Sequence, residues 1–243
     1  MLNIVIPMAG RGSRFAQAGF LNPKPLIDVN GRPMIAWVVE NVRPACAHRF
    51  IFICQKEHLE KYALADTLQA LAPGCGIISI DHVTEGAACT VLLAERWIDN
   101  DDSLMIANSD QYVDAGIEPY LAALGENDGL IMTMPSRDPN CSYVRTDAAG
   151  EVTLVREKER ISEEATVGIY NFRHGADFVS AAGSMIRRNI RTNGEFYVAP
   201  VYNELTEKGK RIVVHNVGPR VYSLGTPSDL DFFLAQPVSQ RSF

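Results

Sequence analysis

"PMAGRGSRFAQAGFLNPKPLIDV" occupies residues 7–29. It follows an apolar, β-branched run at 2–7 that reads as a buried parallel strand. A glycine loop at the end of such a strand holds phosphates in several folds, and the spacing decides which. A P-loop requires G-x-x-x-x-G-K-[ST], whereas Gly10 and Gly12 are followed by Ser13, Arg14 and Phe15. A dinucleotide fingerprint requires a third glycine where Phe15 stands, and then a long crossover helix. Pro23 and Pro25 exclude that helix. Asp28 is near the right distance for a ribose-binding acid, but the intervening chain is wrong for one. What remains is an anion cradle of another kind. Gly10 and Gly12 let backbone N–H groups approach an anion closely. Arg14 lies beside that nest. Lys24 is flanked by prolines, and the residue before a proline is pushed toward extended geometry, which gives Lys24 a fixed direction. Two cations beside glycine amides suit a triphosphate.

The bulk composition is that of an ordinary globular protein, and its acidic balance does not argue against a nucleotide substrate, because local Arg and Lys can act inside an acidic whole. The chain has 243 residues, enough for one sizeable core, with 47% hydrophobic and 21% charged residues. The net charge of −6 argues against a nucleic-acid partner, which would need a basic field. The N-terminus has neither a basic region nor a long apolar stretch, and no run is long enough to span a membrane. Five cysteines at scattered spacings read as free thiols in a reducing cytoplasm, with no zinc pattern among them.

Strand and helix signals alternate through the first half. Strands are expected at 2–7, 50–54, 77–81 and 104–107, with helices at 33–42, 57–71 and 87–97. That order predicts a parallel sheet with helices on both faces. In the second half, strands at 130–134, 142–146, 152–156 and 166–172 follow one another, with a hairpin turn at 147–150. Helices return at about 175–188, 198–208 and 227–234, and late strands at 212–215 and 220–223. Residues 236–243 are expected as a short tail, with no room for a further regulatory extension. The expected fold is α/β: one domain on a mixed, mostly parallel sheet. Residues 1–125 are its nucleotide-binding half and 126–243 its acceptor-binding half.

The segment from Ala9 to Phe15, followed by Pro23-Lys24-Pro25-Leu26, resembles the G-x-G-[ST]-R-[LF] … P-K-x-L signature of sugar-1-phosphate nucleotidyltransferases, the family of glucose-1-phosphate thymidylyltransferase and its uridylyl- and cytidylyl-transferring relatives. The resemblance implies a Rossmann-like nucleotidyltransferase domain. It places Ala9, Gly10, Arg11, Gly12 and Ser13 on the nucleotide, with Arg14 and Lys24 in catalysis. Asp110, in "IANSDQ", closes a central strand where open α/β sheets bind ligands. It matches the family's strand-end Asp, which holds Mg²⁺ on the α-phosphate. Mg²⁺ is hard and is held by one or two carboxylates plus phosphate oxygens.

Further along, Gly86 and Ala87 in "TEGAACTVLLA" match a loop that holds the base. Glu157 and Lys158 in "VREKER" resemble the family's Glu-Lys-Pro, with Glu159 in place of the proline. There the Glu takes sugar hydroxyls and the Lys takes the acceptor phosphate. Gly168 and Glu195 fall in segments resembling the later acceptor site. One departure stands out. The family commonly carries L-D-x-G-T, whose Asp is a second metal ligand, and this chain has Ser223 at that position. Asp229 could substitute, although Thr226-Pro227-Ser228-Asp229 reads as a helix N-cap with its N3 acid.

The function these residues imply is Mg²⁺-dependent transfer of a nucleotidyl group from an NTP to a phosphorylated small-molecule acceptor, with release of pyrophosphate. A sugar 1-phosphate is the expected acceptor, the product serving surface polysaccharide synthesis in the cytoplasm. Phosphocholine is an alternative acceptor. A regulatory paralogue that binds nucleotide sugar without turnover, and a nicotinamide oxidoreductase, are alternative functions. Neither nucleic acid nor membrane insertion is expected, and a homo-oligomer is compatible with the sequence.

Overall fold

A computed structural model of the protein describes residues 1–240. The opening strand β1 (Leu2–Pro7) runs into the glycine loop and a five-residue helix α1 (Ser13–Gln17). A 3-10 turn (Lys24–Leu26) and a small hairpin, β2 (Asp28–Val29) with β3 (Arg32–Pro33), lead to α2 (Met34–Val42). Then come β4 (His48–Gln55), α3 (Lys56–Lys61), α4 (Leu64–Leu71), β5 (Gly76–Ile80), α5 (Ala87–Leu92), α6 (Glu95–Ile98) and β6 (Ser103–Ala107). The second half contributes β7 (Gln111–Val113), α7 (Ile117–Ala122), β8 (Gly129–Pro135), β9 (Ser142–Thr146), β10 (Val152–Glu157) and β11 (Glu164–Phe172). It closes with α8 (Gly175–Arg187), α9 (Val201–Thr206), β12 (Ile212–Asn216), β13 (Val221–Ser223), α10 (Pro227–Leu234) and a 3-10 turn (Pro237–Gln240).

The predicted α/β sandwich is present. β1 lies between β4 and β6, all parallel, and β5 extends the parallel edge beyond β4. β11 joins this group antiparallel to β6 and carries the second half of the sheet. β8 runs along its other side, with β12 parallel beyond it. At its N-terminal end β11 also meets β9 through Ala165 and Tyr143, and β10 pairs with β9. Between Thr166 and Tyr170 the register of β11 shifts, and Gly168 in that bulge has φ +81°.

Strand periodicity divides the apolar residues between two faces. Val5, Ile51, Ile53, Leu104 and Ile106 pack with Val91 of α5, with Phe178 and Met185 of α8, and with Tyr202 of α9. Ile4, Ile6, Phe50, Phe52 and Met105 face the other way, against Ile35 and Val38 of α2, Leu68 of α4 and Tyr120 of α7. Asn3 is fully buried in β1 and is satisfied, because Arg49 Nη2 donates to its Oδ1 at 2.8 Å.

Several expected elements differ in extent. The helix expected at 57–71 breaks at Tyr62, which is extended (φ −129°, ψ 152°) and donates its hydroxyl to Leu21 O. The helix expected at 87–97 tightens at Leu93 and Ala94, whose N–H groups bond three residues back, and divides into α5 and α6. The helix expected from 198 begins at Val201, after turns at Val198 and Ala199. Lys24 opens a 3-10 turn instead of standing in extended chain; its carbonyl accepts from Ile27 N. Residues 237–240 form a packed turn, where a tail was expected: Val238 and Ser239 are buried, and Asn30 Nδ2 donates to Ser239 O at 2.7 Å. The last three residues of that expected tail lie outside the described residues. No helix among the described residues is long and apolar enough to cross a membrane.

Candidate active site

A third, smaller core builds the site. Phe15, Ile27, Val29, Met34, Trp37, Tyr112, Leu224, Leu230 and Phe233 pack together where the glycine loop, β7 and α10 meet. Phe15 is next to Arg14, Tyr112 is two residues from Asp110, and Leu224 is next to Gly225. Burying these three neighbours fixes the directions of the polar residues beside them. Trp37 meets Tyr112 and Phe233 edge-on at 5.6 and 5.3 Å. The backbone adds a tie, since Leu224 N donates to Asp110 O at 2.7 Å.

The loop itself is shaped by glycine where it has to be. Gly12 caps α1 in the left-handed region (φ +59°), and a Cβ there would press on Lys24 Cβ at 3.2 Å. The glycine nest and Lys24 are therefore in direct contact. Lys24 Nζ pairs with Asp110 Oδ2 across the strand end and lies 5.9 Å from the Phe15 ring centre. Among the described residues the Arg14 guanidinium makes no hydrogen bond and no ion pair.

Two cavities meet here. One, of about 390 Å³, is lined by Gly10, Gly12, Ser13, Lys24 and Ser109 among others. The second, of about 490 Å³, is lined by Ala87, Ser142, Glu157, Gly168 and Tyr197 among others. Arg14, Asn108, Asp110 and Gly225 line both. The sequence expectations thus converge: loop residues and both cations in one cavity, Ala87, Glu157 and Gly168 in the other, Asp110 at their junction. Ala9 is buried beneath the loop, where its carbonyl accepts from Gln55 Nε2.

Other expected residues stand elsewhere. Arg11 points away from the first cavity into a neighbouring pocket shared with Gln55, His58, Asp81 and His82. Gly86 lines neither cavity. Its φ is +133°, and a Cβ there would strike Phe196 O at 2.4 Å, so its visible role is close packing of the loop on that segment. Glu195 lines neither cavity; it closes a tight turn with Thr192 through paired backbone bonds of 3.0 Å. Lys158 lies at the rim, in the left-handed region (φ +55°), where its Nζ donates to Tyr197 OH at 2.6 Å.

Electrostatics in the second cavity are set by burial. Glu157 is largely enclosed, and desolvation raises its pKa, opposed by the Ser142 hydroxyl that donates to Oε2. The Lys158 pKa is raised, first by its hydrogen bond to Tyr197. Gln111 is 8% exposed and lines this cavity, and its Nε2 is buried with no partner among the described residues. A buried donor of this kind costs free energy unless something satisfies it.

Sequence reasoning passed over Asn108, Gln111, Ser142, Tyr197 and Gly225 as site residues. Asn108 and Gln111 carried a usable signal, because they bracket Asp110 at the strand end. Tyr197 lay in the segment already singled out around Glu195, where the aromatic itself was not read; Ser142 carried no signal and reaches the cavity through the β9–β10 pairing that sets it opposite Glu157.

Comparison with known proteins places this arrangement. The chain overlays a crystal structure of a nucleoside-diphosphate-sugar pyrophosphorylase from Vibrio cholerae RC9 with a TM-score of 0.82, at 27% identity, over 96% of this chain and 100% of the other. It is 24% identical over 250 residues to the bifunctional protein GlmU of Cupriavidus pinatubonensis, covering 99% of this chain and 52% of that protein. It is 26% identical over 156 residues to a CMP-5'-(3-aminopropyl)phosphonate synthase of Streptomyces rubellomurinus, covering 61% of this chain and 23% of that protein. The chain thus spans about half the length of the first curated relative and about a quarter of the second. Residues 4–165 match the family model of the MobA-like NTP transferase domain, and the chain belongs to that family.

Proposed function

We propose that the protein transfers a nucleotidyl group from an NTP to a sugar 1-phosphate, releasing pyrophosphate and forming a nucleoside-diphosphate sugar. The observation that carries this is the wall shared by the two cavities. A donor held by the glycine loop and an acceptor held near Glu157 would touch each other only at Arg14, Asn108, Asp110 and Gly225. The reaction needs that junction. An acceptor phosphate oxygen attacks the α-phosphorus in line, the bond to the bridging β-phosphate oxygen breaks, and pyrophosphate leaves with the electron pair. The acceptor is already an anion, so alignment and charge neutralisation suffice and no general base is required.

Arg14, without a partner among the described residues, clamps the β- and γ-phosphates. Lys24 leaves Asp110 to bridge the α-phosphate and the acceptor phosphate. The second cavity has polar walls, with Asn140, Ser142, Glu157, Thr166 and Tyr197, which suit a polyhydroxylated acceptor. Gln111 Nε2 donates to that acceptor.

The residues fit Mg²⁺. Asp110 Oδ2, Ser223 Oγ and Asp229 Oδ2 surround the space beside Gly225, at 3.3, 3.2 and 3.7 Å from where a Cβ would be. They are hard oxygen donors, and the glycine leaves room between them. No group of three or more His, Cys, Asp or Glu side chains that could hold a metal ion occurs among the described residues. Asp110 would hold Mg²⁺ as its carboxylate ligand, and the ion would supply neutralisation of charge on the α-phosphate.

Pyrophosphate release, measured for each NTP with a panel of sugar 1-phosphates and with phosphocholine, tests the reading. Turnover with one NTP and a sugar 1-phosphate supports it. Turnover with phosphocholine alone reassigns the acceptor. Binding of nucleotide sugar with no turnover for any pair replaces it with a sensor.

A further inference from the structure

Asp229 has two roles available to it, and helix capping accounts for only one. Its backbone N–H donates to Thr226 Oγ1 at 3.1 Å, which is the N-cap bond of α10. That bond uses the main chain and leaves the carboxylate unassigned. The carboxylate turns toward the catalytic junction and accepts from Ser223 Oγ at 3.0 Å. The same hydroxyl oxygen accepts from Gly225 N at 3.1 Å. A serine hydroxyl has one proton and two lone pairs. The proton goes to Asp229 and one lone pair to Gly225, so one lone pair remains.

The surroundings show what that lone pair can reach. Ser223 pairs with Gln111 across β13 and β7, and the next residue, Leu224, is hydrogen-bonded to the Asp110 carbonyl. The Ser223 hydroxyl and the Asp110 carboxylate therefore flank Gly225 from opposite chain segments. Gly225 has no side chain to separate them, and Ser223 and Asp110 share the second cavity. A serine hydroxyl alone is a weak ligand for a hard cation. One that donates its proton to a carboxylate carries more negative charge on oxygen, and its rotation is stopped.

We propose that Asp229, acting through the Ser223 hydroxyl, is the second acidic group of the catalytic centre and positions that hydroxyl opposite Asp110 as a ligand for the metal ion that accompanies the nucleotide. This rests on the nucleotidyltransferase reading. Asp229 is a positioning residue in this scheme, and Ser223 is the group that touches the ion. The pair places its charge where one carboxylate on residue 223 would place it, delivered over two side chains.

Apparent Mn²⁺ affinity, measured by electron paramagnetic resonance on the full chain with a fixed concentration of each NTP and no acceptor, tests this without turnover. Asp229→Asn keeps the backbone cap and the side-chain shape. It is expected to weaken Mn²⁺ binding by about 10–100-fold, the usual cost of losing a group that orients a metal ligand. Ser223→Ala is expected to do the same, and combining it with Asp229→Asn adds little. Adding Ser223→Asp to Asp229→Asn is expected to restore binding, because the carboxylate is then supplied directly. A purely structural Asp229 would lower the unfolding midpoint, leave Mn²⁺ affinity unchanged and gain nothing from Ser223→Asp; that result overturns the proposal and leaves the reaction class intact. A wild-type protein that binds no Mn²⁺ with any NTP overturns the nucleotidyltransferase reading itself.

Discussion

Lys24 and Asp110 are 86 residues apart in sequence and form an ion pair at the junction of the two cavities. The cation comes from the proline-flanked turn and the anion from the end of β6. Each neutralises the other. Lys24→Ala is expected to reduce turnover by about 10²–10³, the cost of one preorganised charge contact at a transition state. Steady-state pyrophosphate release, with the fold checked by circular dichroism, measures it. A rate within twofold of the wild type would remove Lys24 from the mechanism.

Arg14→Ala is expected to give a loss of similar size, about 10²–10³. Because Arg14 is exposed and unpaired among the described residues, the unfolding midpoint should not move. Parallel activity and denaturation measurements separate this from damage to the loop.

Phe15→Ala acts one residue away and by a different route. Phe15 is 1% exposed in the small core beneath the site. Truncation should cost about 3–5 kcal/mol of stability. It should also lower turnover through loss of loop alignment, with little effect on acceptor KM. Urea unfolding and a KM-against-kcat comparison test both halves of that expectation.

Gly86→Ala should destabilise the protein by about 1–3 kcal/mol or more, because the new methyl group meets Phe196 backbone in a region of φ that only glycine occupies comfortably. A variant as stable as the wild type would show that this loop relaxes to accept a side chain.

Glu157 gives a pH signature. Burial raises its folded-state pKa above the ordinary carboxylate value near which it titrates when unfolded. Between those two values the native state holds a proton that the unfolded chain has released, so stability falls as pH rises through the window. Glu157→Gln should flatten that slope. Denaturant unfolding of both proteins at pH values from about 4 upward checks the direction, starting near the usual carboxylate range.

Much of the fold was legible because its signals were local. The β1 run, the β9–β10 hairpin and the Thr226-capped helix each declare themselves within a few residues. The breaks at Tyr62 and at Leu93-Ala94 did not, because neither contains proline or glycine and the first is accompanied by a distant partner, Leu21 O. The Asn30-Gly31 pair is a strong hairpin signal. Reading the helix after Pro33 alone passes over it, although both residues take positive φ and close the β2–β3 turn. At the site, Arg14, Lys24 and Asp110 were readable from motif and position. Gln111 and Asn108 required knowing which way a strand end faces, and Ser142 required the pairing of β9 with β10, which sets it opposite Glu157.

The shared strand β11 also separates two kinds of change. From Ile169 to Phe172 it pairs with β6, whose last residue, Ala107, leads to Asp110, while its N-terminal end meets β9 through Ala165 and so carries the β9–β10 hairpin with Ser142 and Glu157. On the proposed nucleotidyl-transfer reading, substitutions on that hairpin would alter which acceptor fits without disturbing the parallel strands or the two cations, so that relatives of one such enzyme could trade acceptors and keep the same chemistry.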